Sequence, residues 1–357
     1  MEQTKEPSDE CSRRTAVLRF FKKKSVLIAS ACVIVLLGCA FFVLGSPLST
    51  KDEAVCIYID NDDDIDSVYA KIDRSLSPSS MLVFKTLSSL FSYADNIHGG
   101  RYEIPARASS FYVFRRLRGG KQTPVRIVVP PTWTKEMALG RMAEKLMTDS
   151  ASLVKTFNNP EICSKYGLDT NTVVTVLIPN TYEVYWNVTP EEFLDKMYSE
   201  SKKFWTEERL GKAKAMNLST TEVLTLASIV DAETENSKEK PVIAGVYINR
   251  LHVGMPLQSC PTVKYALREF GLHRVYDKML RTPSPYNTYI NKGLPPSPIR
   301  IATVEGIDAV LNYTKHNYLY MCAKEDLSGT HNFASSFSEH NANAKRYAAA
   351  MDKRQVK

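Results

Sequence analysis

The sequence predicts an α+β protein with an N-terminal transmembrane helix, a small β-α-α-β module and a larger mixed α+β domain. Three observations carry that expectation. Residues 25–45 (SVLIASACVIVLLGCAFFVLG) hold no charged side chain, and as a helix such a run spans about 30 Å, the thickness of a bilayer's hydrocarbon core. Short strand-like runs then alternate with helical ones. Further on, Ser219-Thr220-Thr221-Glu222 forms a capping box that opens an apolar helix.

The charge pattern sets the topology. Of the net +7, residues 1–24 carry seven Lys/Arg against four Asp/Glu, giving +3, and the remaining +4 is spread over the rest of the 357 residues. That is too dilute for a nucleic-acid footprint, so no nucleic-acid partner is expected. Lys22-Lys23-Lys24 directly precedes the apolar run, and the basic flank of a span stays cytoplasmic. Residues 1–24 are therefore a cytoplasmic tail, 25–45 a single-pass span, and the chain beyond about Pro47 lies outside. A cleaved signal peptide would have a shorter apolar core. Leu36-Leu37-Gly38-Cys39 has the form of a lipidation site, but 40–44 continue the apolar run past Cys39, so an uncleaved anchor is the reading favoured.

After a short linker, residues 55–60 (VCIYID) alternate as a strand, followed by the acidic turn 61–64. Helical runs at 65–76 and 81–91 and a strand at 101–104 complete the β-α-α-β order. The amphipathic segment 109–118 stops at Gly119-Gly120 as a helix end does. The β-branched run 125–129 reads as a strand closed by Pro130-Pro131. Residues 55–134 thus form the small module and its connection, and 135–350 the larger domain. From Thr134, the spacing of Leu139, Met142, Ala143, Leu146 and Met147 predicts one helix face. Residues 173–178 read as a strand. Thr189-Pro190-Glu191-Glu192 predicts a capped helix running through Trp205.

The helix opened by Ser219 places Val223, Leu226, Ala227 and Val230 on one face. Glu233 falls roughly 60° from Val230, on the margin of that stripe. A carboxylate at such a margin is partly desolvated, the setting in which a general acid keeps its proton near neutrality. Asp231 falls on the opposite margin, roughly 160° from Glu233, so the two do not form one close pair. By itself the pattern fits a surface Glu near a helix end better than a catalytic one. Seven cysteines are scattered without CxxC spacing, and there is no HxxxH, so neither metal nor cofactor is expected. Pairing among Cys56, Cys163, Cys260 and Cys322 is not legible from spacing.

Ala227-Ser228-Ile229-Val230-Asp231-Ala232-Glu233-Thr234 resembles the ASI-[IV]-E-x-E-T element of the MltG/YceG family of endolytic murein transglycosylases. Residues 246–258 (VYINRLHVGMPLQ) are similar to that family's V-[FY]-x-N-R-L-x-x-G-M-x-L-Q. Pro261-Thr262-Val263-x-Tyr265, Ser284-Pro285-Tyr286-Asn287-Thr288-Tyr289 and Gly293-Leu294-Pro295-Pro296 follow in family order. His331-x-Phe333 and Glu339-His340-Asn341 close a set that covers about 115 residues, 227–341. Upstream, Pro179-Asn180-Thr181-Tyr182 resembles F-P-D-T-Y, and the β-α-α-β unit resembles the family's LysM-like module.

The resemblance implies cleavage of the β-1,4 bond between N-acetylmuramic acid and N-acetylglucosamine within nascent glycan strands, leaving 1,6-anhydro ends. Glu233 would be the acid and then the base. The muramoyl C6 hydroxyl replaces water, so the second carboxylate of ordinary glycosidases is not required. The implied setting is the bacterial cytoplasmic membrane, with the catalytic domain outside, peptidoglycan as substrate, and cell-wall synthesis machinery as a partner.

The chain departs from the pattern at Asp231 (usually Glu), Cys260 (usually Asp), Asn180 (usually Asp) and Ile178 (usually Phe). The resemblance implies substrate binding by Asn249, Gln258, Thr262, Tyr265, Asn287, Tyr289 and His331, with Asp231, Arg250, His340 and Asn341 in support. For Asn249, Gln258, Asn287 and Tyr289, backbone capping is an equal reading; Arg250 is expected to brace a carboxylate. Two rivals remain. One is a peptidase using Cys260 with His331 or His340; the other is a non-catalytic, membrane-tethered wall-binding scaffold.

Overall fold

A computed structural model describes Lys24, residues 26–35, 37–38, 41, 53–73, 78–272 and 274–353, with the side chains of 78 and 79 excepted. Residues 1–23 of the cytoplasmic tail expected over 1–24, parts of the expected span, and 51–52 of the linker expected over 51–54 lie outside the described residues. Residues 26–35 are helical with exposed side chains. Among the described residues no helix is long and apolar enough to cross a membrane. The rest is mixed α+β, divided into two compact units at Thr123/Pro124.

In the first unit, β1 (Val55–Ile59) pairs antiparallel with β2 (Gly100–Ile104), Val55 opposite Ile104 and Ile59 opposite Gly100. Period-2 alternation buries Ile57 and Ile59 and turns Cys56 and Tyr58 outward. Between the strands lie α1 (Ile65–Asp73) and α2 (Pro78–Leu90). The acidic turn after β1 is neutralised from α1, because Lys71 reaches both Asp60 and Asp63. α3 (Ser110–Arg118) is capped by the Ser109 side chain, which accepts from the Tyr112 amide, and it ends at Gly119-Gly120 as the sequence predicts. Phe84 is the hub of the core, with Tyr69, Tyr93 and Phe114 each edge-on at 6.1 Å.

The second unit holds two cores. The first is built on an antiparallel pair, β3 (Val125–Val128) with β4 (Thr181–Val184). Packed with it are α4 (Lys135–Ala143), α5 (Ser150–Phe157), α6 (Pro160–Ser164) and α7 (Pro190–Phe204). Thr134 caps α4, and α7 begins with a complete Thr189–Glu192 capping box. α4 is shorter than its apolar spacing predicts. It stops at Ala143, and the Met147 amide bonds the Trp186 carbonyl instead.

The strand expected at 173–178 is not there. Thr172–Val176 winds as a 3₁₀ turn, held at its start by Asp169, whose Oδ1 accepts from the amides of Asn171 and Thr172. An Asx turn diverts the backbone before a β-branched run can extend. Val173, Val176, Leu177 and Ile178 are buried all the same, so burial made the run apolar without making it a strand. The strand is displaced to β4.

The second core is formed by α9 (Thr220–Glu233), α10 (Lys240–His252) and α12 (Val304–Leu311), with α8 (Glu207–Ala215) and α11 (Cys260–Leu267) at its edges. A hairpin of β5 (Tyr320–Ala323) and β6 (His331–Ala334) carries the C-terminal helix α13 (Phe337–Lys353). α9 opens with the Ser219–Glu222 capping box read in the sequence. Every residue from Val223 to Asp231 on it is buried. The helix therefore has no exposed margin at Asp231, and the expectation that Asp231 sits on a stripe edge is corrected: its side chain is 1% exposed.

Candidate active site

Glu233 is the last residue of α9, half-buried, at the point where the chain leaves the helix through the extended residue Thr234. Two hydroxyls converge on one of its oxygens. Tyr247 of α10 donates to Oε1 at 2.7 Å and Ser259, just before α11, donates at 2.5 Å. Oε2 has no protein partner among the described residues. Burial, and then the negative charge of Glu233, pushes the Tyr247 phenol well above its ordinary value. It therefore stays protonated and donates at any physiological pH. The carboxylate is thus held through Oε1, and Oε2 is the atom free to carry or collect a proton.

Ser259 is fixed by a buried net of hydroxyls. Its amide donates to Thr288 Oγ1 at 3.0 Å, its carbonyl accepts from Thr262 Oγ1 at 2.7 Å, and the two threonine hydroxyls meet at 2.8 Å. The preceding residue, Gln258, is held at φ +50° with its amide on the Thr288 carbonyl. A non-glycine residue in that left-handed region costs about 1–3 kcal/mol, sustained only where the surroundings fix it. The side chain of Gln258 is exposed between buried Leu257 and Ser259. It directly precedes Ser259, which bonds Glu233.

Thr262 and Asn287 are corrected. Both are 0% exposed. Asn287 donates to the Leu280 and Thr282 carbonyls, each at 2.9 Å, and accepts from the Tyr289 amide at 3.0 Å. Every strong group on it is spent on the loop, so it shapes the site without facing it. Asn249 likewise gives its amide to the His316 and Tyr318 carbonyls at 2.8 and 3.0 Å. Arg250 braces no carboxylate: its guanidinium bonds the carbonyls of Leu319 and Leu257, each at 2.6 Å, and burial lowers its pKa.

Tyr289 is half-buried with its hydroxyl 3.1 Å from Cys260 Sγ. Burial raises the Cys260 thiol, which disfavours the thiolate that a nucleophile requires. The bonded partner of that thiol is Tyr289, while His331 Nδ1 lies 3.1 Å from Glu239 and the His340 ring stacks on Tyr320. Asn341 is exposed on α13. Tyr265 packs on Tyr286, ring centroids 4.8 Å apart. The five described cysteines, Cys32, Cys56, Cys163, Cys260 and Cys322, are all free thiols, and no group of metal-ligating side chains occurs among the described residues.

Asp231 belongs to a different assembly. Its Oδ1 pairs with Lys240 at 2.8 Å, and Lys240 also reaches Glu305 at 2.8 Å. Oδ2 accepts from the Thr303 amide at 2.6 Å. Burial alone would lower the Lys240 pKa, but the two carboxylates outweigh it and raise it. A Cβ on Gly306 would stand 2.4 Å from the Asp231 carboxylate, so only glycine allows this approach. The ends of α9, α10 and α12 are thereby locked together two residues from Glu233. Ser228 of the same segment donates to the Thr225 carbonyl and accepts from the Ile299 amide, fixing the loop before α12.

Tyr247, Ser259 and Lys240 carry the site's geometry and were not singled out by sequence reasoning. Tyr247 stood within a recognised block, but its partner lies 14 residues away on another helix. For Ser259, no local signal exists.

The second unit is thus a two-core α+β fold in which one carboxylate, Glu233, is fixed at a helix end by two hydroxyls. The model of the YceG-like family matches residues 57–346, and the chain belongs to that family. It is 35% identical over 180 residues to the endolytic murein transglycosylase of Bacillus subtilis (strain 168), covering 50% of this chain and 49% of that one. To the endolytic murein transglycosylase of Streptococcus pneumoniae serotype 2 it is 33% identical over 171 residues, 47% of this chain and 31% of that one. The chain thus spans about half or less of the curated relatives it matches. A crystal structure of a yceG-like protein from Listeria monocytogenes aligns with TM-score 0.53 at 26% identity, over 82% of this chain and 99% of that one.

Proposed function

We propose that this protein is a lytic transglycosylase that cuts the β-1,4 bond between N-acetylmuramic acid and N-acetylglucosamine inside peptidoglycan strands. The observation that carries the reading is Glu233, held by Tyr247 and Ser259 through Oε1 alone. A proton on Oε2 passes to the glycosidic oxygen as the C1–O bond breaks. The same carboxylate then removes the proton of the muramoyl C6 hydroxyl, whose oxygen bonds C1 and closes a 1,6-anhydro ring. Attack from within the sugar replaces water, so one carboxylate serves both steps. Asp231 is committed to its own buried ion pair, consistent with a single acid. Orientation of the internal hydroxyl supplies much of the rate.

Gln258, exposed beside Ser259, is the residue we assign to sugar binding, with Tyr289 and Tyr265 lining the approach. The β-α-α-β unit acts as a LysM-like glycan-binding module. Residues 25–45 anchor the chain in the cytoplasmic membrane with the catalytic domain outside, close to newly made strands and the machinery that makes them. The names of the B. subtilis and S. pneumoniae relatives support the activity. Incubating purified protein with peptidoglycan should release fragments whose mass shows anhydro ends; hydrated reducing ends alone would refute the reading.

A further inference from the structure

The second unit contains a cavity of ≈ 140 Å³ whose wall includes Trp133, Lys135, Glu136, Tyr265, Arg268 and Arg300. It adjoins the Glu233 site by two routes. Tyr265 lies on α11 five residues past Cys260, about 7–8 Å along the helix. Arg300 donates to the Asp231 carbonyl at 3.1 Å, two residues before Glu233.

The charge in this wall is unbalanced. Three cations face one acid, and none of the three is ion-paired to a carboxylate within contact distance among the described residues. Lys135 bonds the Thr170 carbonyl, and burial lowers its pKa. Arg268 lies 4.6 Å above the Tyr265 ring. Arg300 gives two bonds to backbone carbonyls, and its buried Nε has no partner. A buried donor left unpaired is costly unless a ligand completes it. Trp133 is no open sugar platform, since Phe270 stacks on it at 5.1 Å and Arg300 sits 5.7 Å from its ring. The cavity offers charge.

We infer that this cavity is an anion subsite that takes a carboxylate of the peptide stem carried by the glycan strand, beside the bond that is cut. The inference rests on the transglycosylase reading, because it is that polymer whose carboxylates sit on stems attached to the very muramoyl residue whose C1–O bond is cut. A planar guanidinium suits a carboxylate by paired hydrogen bonds.

Two measurements on the full chain test it. By calorimetry, a free stem tetrapeptide with open carboxylates should bind about tenfold tighter than the same peptide amidated, about the effect of one lost charge-assisted contact. Arg268→Glu and Lys135→Ala should each erase that difference. Equal binding of the two peptides, or a difference that survives both substitutions, overturns the subsite. In the second measurement, the wild type should show a lower KM for stem-bearing strands than for strands stripped of stems by an amidase. Cleavage of both strands with equal KM overturns the subsite alone. Cleavage of neither refutes the transglycosylase reading instead.

Discussion

Replacing Glu233 by Gln keeps the side chain's shape and lets Oε1 go on accepting from Tyr247 and Ser259, but removes the transferable proton. Acid–base catalysis contributes about 10²–10⁴-fold, and one residue serves both halves of the reaction. Glu233→Gln should therefore fold, by circular dichroism, and release almost no anhydro-ended glycan; near-normal release would move the acid elsewhere. Tyr247→Phe and Ser259→Ala each delete one hydroxyl bond to the carboxylate, worth about 1.5–3 kcal/mol for a charged acceptor. Each should lower kcat by roughly tenfold or more with KM little changed. A loss confined to KM would mean that these hydroxyls serve binding. Glu233 was legible because its motif is local, a few residues of one helix. Its two donors come from positions 14 and 26 residues further on, and only the folded chain brings them together. Thr262 was misread, and Asn287 left between two readings, for the complementary reason: an amide or hydroxyl in a turn-rich block looks the same whether it faces a ligand or, as here, nearby backbone carbonyls.

Among the elements, capping chemistry was the most legible feature, since Thr189 and Ser219 both accept from the amides their spacing predicts. Apolar content was the least, as the 3₁₀ turn at Thr172–Val176 shows. The lock at Asp231 was invisible, because Lys240, Thr303 and Glu305 are distant in sequence. Asp231→Asn leaves Lys240 buried with only the half-exposed Glu305 as counter-charge. Breaking a buried pair costs about 3–5 kcal/mol, and the remaining partner places this case at the lower end. The expected result is a Tm lowered by roughly 6–12 °C, with residual activity per folded molecule well above that of Glu233→Gln. An unchanged Tm would show that the lock is not what holds the end of α9. A second element carries a pH signature. His340 of α13 stacks on Tyr320 of β5, and burial, then the nearby Arg250 charge, lowers its pKa. The unfolded chain, titrating near about 6.5, takes up that proton first. The contribution of His340 is thus present above that pH and is lost as pH falls through it. Urea denaturation at pH 7.5 and 5.0 should show a steeper fall for wild type than for His340→Gln; parallel falls would remove His340 as the cause.

At the level of the whole molecule, the family match runs through both units, and the two hydroxyls bonded to Glu233 both belong to the second. On the proposed reading the apolar run at 25–45 is a tether, because an enzyme that cuts a polymer made at the membrane would gain effective concentration by being held there. The proposed orientation rests on Lys22-Lys23-Lys24 on the near flank, against a far flank whose one nearby basic residue is Lys51. A chain with an N-terminal epitope tag tests it directly. Protease added to intact spheroplasts should digest everything beyond about residue 50 and leave the tag on a short membrane-bound stub, while lysed cells should lose the tag as well. Full-length chain surviving in intact spheroplasts, but digested on lysis, would put the catalytic unit on the cytoplasmic side. It would then be separated from any wall substrate, and the transglycosylase reading would fall with the topology.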